Sequence, residues 1–256
     1  MKFLNKFFST IIAIIFLSGC GDHTDQTLSP PKDAHWITVK IKVPEGVTLQ
    51  PMQVMYRSDS CNDTSNNSSG EPYDIKGING FKQNFTQQGR SDFWQTKIAV
   101  DGGGSCQWSL NSIKVSFSIN DSNPLVKSKK NLSANYIFDF DNYGFSDGYG
   151  TGPAREFSGN LDIATNFYPM VVINDLFNTQ YVKLYGGNVK SKEWGRRYKV
   201  RDINEIKLEP IVHLDKSLAL NSAKGKSTGM EITYPDGSVG PLNETEPDYD
   251  KLLSIK

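Results

Sequence analysis

The side chains that most often do chemistry in proteins are sparse in this chain of 256 residues. Its three histidines, His23, His35 and His213, lie far apart, and none has a metal-ligating partner at helical or hairpin spacing. The HExxH, Walker and CxxC patterns of metalloproteases, nucleotide-binding loops and zinc sites do not occur. We therefore expect no catalytic site and no metal or other cofactor, with an enzyme of an unrecognised class as the alternative.

An acidic stretch over residues 139–152 offers the hard oxygen ligands that calcium prefers. Tyr143 stands where an EF-hand loop needs a ligand, and Gly150 stands where that loop needs its bidentate glutamate. A solvated loop is the favoured interpretation, with calcium binding left open. Paired carboxylates could also support glycoside hydrolysis, although two alternate positions of one strand usually form a loop or a solvated face. The acidic and amide side chains concerned are Asp139, Asp141, Asn142 and Asp147.

The first 19 residues have the three parts of a secretory signal. Lys2 and Lys6 lie before an apolar run over 7–17 that is too short for a stable membrane span. The sequence that follows, Leu17-Ser18-Gly19-Cys20, resembles the lipobox of bacterial lipoproteins. The resemblance implies that residues 1–19 are removed, that the Cys20 thiol receives a diacylglycerol, and that the new amino terminus is acylated, for example with palmitate. An ordinary signal peptide cut near Gly19 is the alternative.

Two or three acyl chains would keep the mature protein on a membrane, since each buried methylene contributes about 0.8 kcal/mol. In Gram-negative lipoproteins an aspartate directly after the cysteine commonly means retention in the inner membrane, whereas here Gly21 takes that place. The resemblance therefore favours the outer membrane, on its periplasmic side, over the inner membrane. Residues 20–35 are polar and contain Pro30 and Pro31, so we expect a flexible lipidated tether.

With Cys20 lipidated, Cys61 and Cys106 remain as an even pair in an oxidising compartment. This predicts one intrachain disulfide. A metal pair or a catalytic thiol would need neighbouring ligands that the sequence does not show. The 28 basic residues balance the 28 acidic ones, so the overall charge gives no reason to expect nucleic acid as a partner.

Alternation of apolar and polar residues at period two predicts many short strands, most clearly over 37–43 and 106–119. The fold class expected is all-β, with a β-sandwich-like domain in which the disulfide joins two sheets. Residues 36–120 form one predicted region, and 121–256 form a β-rich region of the same domain or of a second one.

Local composition gives four further expectations. Residues 62–70 are rich in Asn, Ser and Gly and predict an exposed loop. Pro210 indicates that the strand over 205–214 lies at a sheet edge. The sequence over 230–239 predicts a hairpin around Pro235-Asp236-Gly237. The acidic residues after 243 predict a mobile end.

Basic and aromatic residues are densest between residues 181 and 201. This mixture is typical of protein interfaces and also suits anionic sugars or lipid headgroups. A strand pair with a solvated lysine face is the alternative. The candidate binding residues are Tyr181, Tyr185, Trp194, Arg196, Arg197 and Tyr198.

The processing signal, the size and the lack of a catalytic motif resemble the periplasmic immunity lipoproteins that accompany lipase effectors of type VI secretion systems. The resemblance implies a non-catalytic binding module that meets a secreted antibacterial phospholipase at the membrane and occludes its active site. Its partners would be the membrane, through the lipid, and the effector protein. A lipoprotein that binds envelope glycan or lipid is the alternative.

Lipidation can be tested at the one atom that would carry the diacylglycerol, the sulfur of Cys20. We expect Cys20→Ser to abolish incorporation of an alkyne-labelled fatty acid, because the thiol that would carry the diacylglycerol is gone. Cys61→Ser is the matched control and should remain labelled. A labelled Cys20→Ser chain would contradict the assignment.

Overall fold

The computed structural model describes residues 24–142, 154–175, 177–187, 196–222, 230–240 and 246–255. Two mixed β-sheets dominate these ranges and confirm the all-β, sandwich-like fold class. The nine-stranded sheet contains β1 (Trp36–Lys42), β5 (Thr86–Gln87), β6 (Phe93–Ala99), β9 (Lys130–Leu132), β12 (Leu161–Asn174), β13 (Thr179–Tyr185), β15 (Glu205–Val212), β16 (Leu218–Ser222) and β17 (Met230–Thr233). The eight-stranded sheet contains β2 (Val47–Leu49), β3 (Met52–Asn66), β4 (Pro72–Gln83), β7 (Asp101–Gly103), β8 (Trp108–Ile119), β10 (Ala134–Asp139), β11 (Arg155–Ser158) and β14 (Arg197–Arg201).

Strand order places the long β8 near the middle of the eight-stranded sheet. The order there is β11-β14-β10-β8-β3-β4, with β2 and β7 also paired to β8. The nine-stranded sheet runs β17-β16-β12-β15-β1-β6-β5, with β13 on β12 and β9 on β13. Strands from both predicted regions are neighbours, since β1 pairs with β15 and β8 pairs with β10. The two regions therefore share both sheets.

The main core lies between the sheets and is built from the inward positions of alternating strands. Ile37, Val39 and Ile41 of β1 are at most 1% exposed. Across the core, Phe117 contacts Phe167 edge to face, with ring centroids 5.1 Å apart. Complete burial of one such side chain contributes roughly 1.5–3 kcal/mol. This gain favours apolar residues at every inward position, which produces the alternating pattern in the sequence.

A second core lies beyond the midpoint of β12, where this strand pairs with β13 and β16. It is covered by the helix α1 (Tyr249–Ser254), whose Tyr249 and Leu252 are buried. Asp248 caps the helix by accepting a hydrogen bond from the Lys251 amide. The expectation of a mobile acidic end is therefore wrong for residues 246–255, because two apolar side chains three positions apart bind them to the sheet.

Two further strand expectations have different outcomes. The hairpin over 230–239 is confirmed by the Thr233–Val239 bridge. The edge position expected from Pro210 is wrong, since β15 lies between β12 and β1. Pairing with β1 ends at Leu208, so Pro210 sits where β15 has a partner only on its β12 side.

The amino-terminal segment is docked from residue 24 onward, which differs from the flexible tether expected over 20–35. The Trp108 indole donates to the Asp25 carbonyl, and the Ser105 hydroxyl donates to the Asp25 carboxylate, which holds the pKa of that carboxyl down at about 2. Leu28 packs against the main core, and Ser29 bridges to Gly103. Residues 20–23, including the predicted lipidation site Cys20, lie outside the described ranges.

The predicted disulfide is confirmed between Cys61 and Cys106, whose Cα atoms are 5.3 Å apart. Cys61 lies in a bulge of β3, where the register with β4 jumps from Ser58 to Asn62. The loop expected over 62–70 is only partly correct. Residues 62–66 continue β3, and the turn begins after them.

Removing the disulfide should lower the free energy of unfolding. The bonded cysteines are 45 residues apart, and a loop of that size is worth about 3–4 kcal/mol in the chain-entropy account. We expect Cys61→Ala/Cys106→Ala to lose this amount in urea unfolding of the oxidised protein. Reduced wild type is the control and should match the variant. An unchanged midpoint and slope would show that the link does not stabilise the fold.

Candidate functional site

Alternation along β14 separates the predicted binding residues between two sides of the sheet. Tyr198 points inward, where its ring stacks on Phe138 with centroids 5.4 Å apart, and burial raises the pKa of its phenol. Its neighbour Arg197 points outward and forms an ion pair with Asp139, with Nε 2.5 Å from the carboxylate. The two side chains therefore lie on opposite sides of the sheet.

The tyrosines of β13 belong to the second core. Tyr185 is buried, and its hydroxyl donates to the Pro247 carbonyl at 2.7 Å. Tyr181 is half-buried against the same cluster. Burial raises the pKa of both phenols, so both stay neutral donors. Their contacts fix the position of the carboxyl-terminal segment.

Arg196 enters the interior between the two cores. Its Nε donates to the Asn135 carbonyl at 3.2 Å and its Nη1 to the Gly186 carbonyl at 2.6 Å. The guanidinium also lies 5.3 Å from the centre of the Phe167 ring. Burial lowers the pKa of Arg196, and nearby tyrosines, Tyr136 first among them, oppose that shift. Carbonyls and aromatic faces stabilise this buried cation, which links β10, β12 and the end of β13.

The structure thus brings only part of the predicted binding segment to the surface. Arg197 is on the outer face, Tyr181 is half-buried, and Tyr185, Arg196 and Tyr198 have interior partners. Trp194 lies outside the described residues. A binding role for the six stays a prediction, and the interior positions have structural contacts of their own.

The strand register defines a cationic surface that is larger than the segment 181–201. The outer side of the eight-stranded sheet, called the basic face below, carries cations from four strands. Lys82, Lys114 and Arg197 lie in one row, since Gln53 pairs with Lys82 and Lys114, and Ile137 pairs with Lys114 and Arg197. The basic face comprises Arg57, Lys82, Lys114, Arg197, Lys199 and Arg201, against the carboxylates of Asp101, Asp139 and Glu156.

The outer side of the nine-stranded sheet differs, because its lysines lie beside carboxylates. Lys40 is 2.6 Å from Glu205, and Lys207 is 3.0 Å from Asp162. Lys207 also pairs with Glu209. These lysines therefore have carboxylate neighbours, and among the described strand residues the basic face includes more cations than carboxylates.

An aromatic side chain borders the basic face at the β11 edge. All four residues of β11 are exposed, and Phe157 is 43% exposed. Phe157 lines a shallow cleft of about 230 Å³ together with Glu156, Ser158, Lys199 and Arg201. Phe157 pairs with the inward-facing Val200, whereas Glu156 and Ser158 pair with Lys199 and Arg201, so the aromatic residue meets the cations only at the edge of the sheet.

A larger groove of about 510 Å³ opens where β1 ends, far from the disulfide. Its walls are mainly apolar. They include Val43, Val47, Leu49, Pro51, Phe85 and Trp94.

The acidic stretch proposed for calcium is only partly described. Asp139 pairs with Arg197, Asp141 accepts from the Asn111 amide, and Asn142 accepts from Lys199. Residues 143–153, which include Asp147, lie outside the described ranges. In the ranges that are described, no group of three or more His, Cys, Asp or Glu side chains could hold a metal ion. His35 and His213 each contact an asparagine, Asn204 and Asn166 respectively.

One further motif bears on the enzyme alternative. Gly144-Phe145-Ser146-Asp147-Gly148 has the GxSxG spacing of serine hydrolases. The motif acts in a strand-to-helix turn that exposes the serine. Here the pentapeptide and the residues that follow it as far as 153 lie outside the described ranges. A pentapeptide without that context is a weak signal.

Comparison with known proteins finds no match for this chain among protein-family models, curated proteins or solved structures. Among the described residues, no helix has the length and apolar character needed to cross a membrane.

A substitution of Arg196 tests its structural role. Arg196→Ala should lower the free energy of unfolding by about 2–4 kcal/mol, because it leaves buried carbonyls unsatisfied and opens a cavity. Arg201→Ala is the control. Arg201 is the exposed last residue of β14, the strand that begins directly after Arg196, so this change should alter stability by less than about 0.5 kcal/mol. Equal unfolding midpoints for the two variants would contradict an interior role for Arg196.

Proposed function

We propose that this chain is a lipoprotein of the outer membrane, anchored through Cys20 and facing the periplasm, that binds a secreted phospholipase-type effector and blocks its active site. In this proposal it acts by binding, without catalysis. The observation that carries the proposal is the excess of cations on the basic face.

The extent of the basic face supports a protein partner. Lys82 and Arg197 lie on strands separated by four inter-strand spacings, which corresponds to roughly 19 Å. A patch of that width supplies part of the roughly 800 Å² that each partner contributes to a standard interface. Arginine adds planar donors that match carboxylates in pairs. An acidic surface on the effector would complement this face.

The proposed lipid anchor supports the same function, because it would hold the protein at the membrane that a phospholipase attacks. An enzyme that attacks phospholipids must come to the bilayer, where a lipidated protein is already concentrated. Positive charge on the basic face would further accelerate encounter with an acidic partner. The disulfide is consistent with an oxidising compartment.

A second candidate function is recognition of anionic envelope lipid or glycan. The same excess of lysine and arginine favours it, together with the exposed Phe157 beside Lys199 and Arg201. Phosphate groups would occupy the positions that effector carboxylates occupy in the first proposal.

Substitution of the basic face separates these proposals. Lys82→Ala/Lys199→Ala/Arg201→Ala should weaken binding of the cognate phospholipase effector at least tenfold, with most of the loss in the association rate at low salt, because steering depends on charge. Binding is measured by surface-based kinetics at two salt concentrations. The matched control removes three lysines from the opposite side, as Lys40→Ala/Lys42→Ala/Lys207→Ala, and should bind as the wild type does.

Equal binding by both triple variants would remove the basic face from the proposal. For the second candidate, a chain starting at residue 24 is sedimented with phosphatidylglycerol or phosphatidylcholine vesicles. Binding to the anionic vesicles alone, lost in the basic-face variant, would favour lipid recognition.

A further inference from the structure

The strands β3 and β4 extend beyond the rest of the eight-stranded sheet. The last pair between β3 and β8 is Arg57 with Ser109, whereas β3 and β4 remain paired from Asn62–Lys76 to Asn66–Pro72. Among the described strands none pairs with this outer portion, residues 62–76, which is called the hairpin arm below. Five strand residues extend roughly 17 Å. The arm thus projects well beyond the disulfide.

The hairpin arm is held in one conformation at both ends. At the tip, the Asn67 carboxamide oxygen accepts from the Ser69 and Glu71 amides, and its nitrogen donates to the Glu71 carboxylate at 2.9 Å. At the base, the Ser58 hydroxyl accepts from the Cys61 amide at 2.9 Å, next to the disulfide. A preorganised projection binds without a large loss of conformational entropy.

Glycine at position 77 allows this base to form. A Cβ atom there would lie 2.1 Å from the Cys61 carbonyl oxygen, which no side chain can tolerate. The close contact between the backbones of Gly77 and Cys61 therefore holds β4 against the bulge of β3. The direction of the hairpin arm depends on this contact and on the disulfide.

The surface of the hairpin arm is acidic and contains one exposed aromatic ring. Asp63, Glu71 and Asp74 outnumber its one cation, Lys76. Tyr73 is 49% exposed and lies next to Asp74 near the tip. A rigid aromatic anchor surrounded by charge is typical of residues that contribute most to protein binding.

The hairpin arm and the first described residues of the chain lie at the same end of the sandwich. Asp25 bonds to Ser105 and Trp108, the neighbours of Cys106 at the base of the arm. Cys20 is five residues before Asp25, a distance of at most roughly 18 Å along an extended chain. The arm therefore projects from the side of the domain at which the described chain begins, within reach of the proposed anchor.

We propose that the hairpin arm enters the active-site cleft of the phospholipase, an inference that rests on the proposed function above. An enzyme that binds phospholipid headgroups needs positive charge at the mouth of its cleft, which the acidic arm complements. That mouth must face the bilayer during turnover. An arm that projects on the anchored side of the domain meets it there, whereas the basic face contacts the enzyme's acidic surface.

The test uses full-length lipoprotein in phosphatidylethanolamine–phosphatidylglycerol vesicles, with the cognate phospholipase effector as the probe. The initial rate of fatty-acid release is measured against lipoprotein concentration. Tyr73→Ala/Asp74→Ala should raise the concentration for half-inhibition at least tenfold. Phe177→Ala/Asp175→Ala is the matched control, since it removes an exposed aromatic ring and a carboxylate from another turn, and it should inhibit as the wild type does.

Each outcome has a separate meaning. If the wild type does not slow the enzyme, the proposed function fails and this inference fails with it. If the wild type inhibits and the arm variant inhibits equally, the inference is overturned while the function stands. Absence of free thiol in the arm variant confirms that its disulfide, and with it the base of the arm, is intact.

Discussion

The covalent bond between Cys61 and Cys106 joins three parts of the fold that would otherwise be held only by local contacts. It connects the bulge of β3 to the turn before β8, and that turn also binds the docked segment around Asp25. Because β8 is paired with β3 and β10, a constraint at its start reaches both halves of the eight-stranded sheet. The direction of the hairpin arm and the exit of the amino-terminal segment thus depend on one cross-link.

Sequence pattern predicts those strands that bury one face, and it fails for those that do not. In β1 and β8 every second side chain enters the core, so polarity alternates and the strands could be identified. In the hairpin arm residues 62–66 pair only with β4 among the described strands, and neither face packs on another described strand, so polarity need not alternate there. The Asn, Ser and Thr side chains of this portion therefore predict a loop. Exposed β11 lacks alternation for the same physical reason. The helix α1 was missed because a single buried turn needs only Tyr249 and Leu252, too few for a periodic signal, although Asp248 marks its start.

The binding surface shows why proximity in sequence is a poor guide to proximity on a sheet. Arg196, Arg197 and Tyr198 are consecutive, yet the first is bound to buried carbonyls, the second faces outward and the third faces the core. Lys82, Lys114 and Arg197 are far apart in the chain and share one row. Such rows follow from strand order and register, which long-range pairing decides and which no local pattern contains. The cation-rich segment was visible in the sequence, but the surface it belongs to was not.

The outer sides of the two sheets differ in charge, and this difference can set the orientation of a bound partner. The nine-stranded sheet pairs its lysines with carboxylates and is locally neutral. The eight-stranded sheet has a cationic outer face, and the same sheet ends in an acidic arm on the side of the docked amino terminus. A partner with one acidic surface and one electropositive cleft would therefore be bound in a single orientation, because any rotation would set like charges against each other. Two surfaces of opposite sign on one rigid sheet thus supply specificity that neither surface has alone.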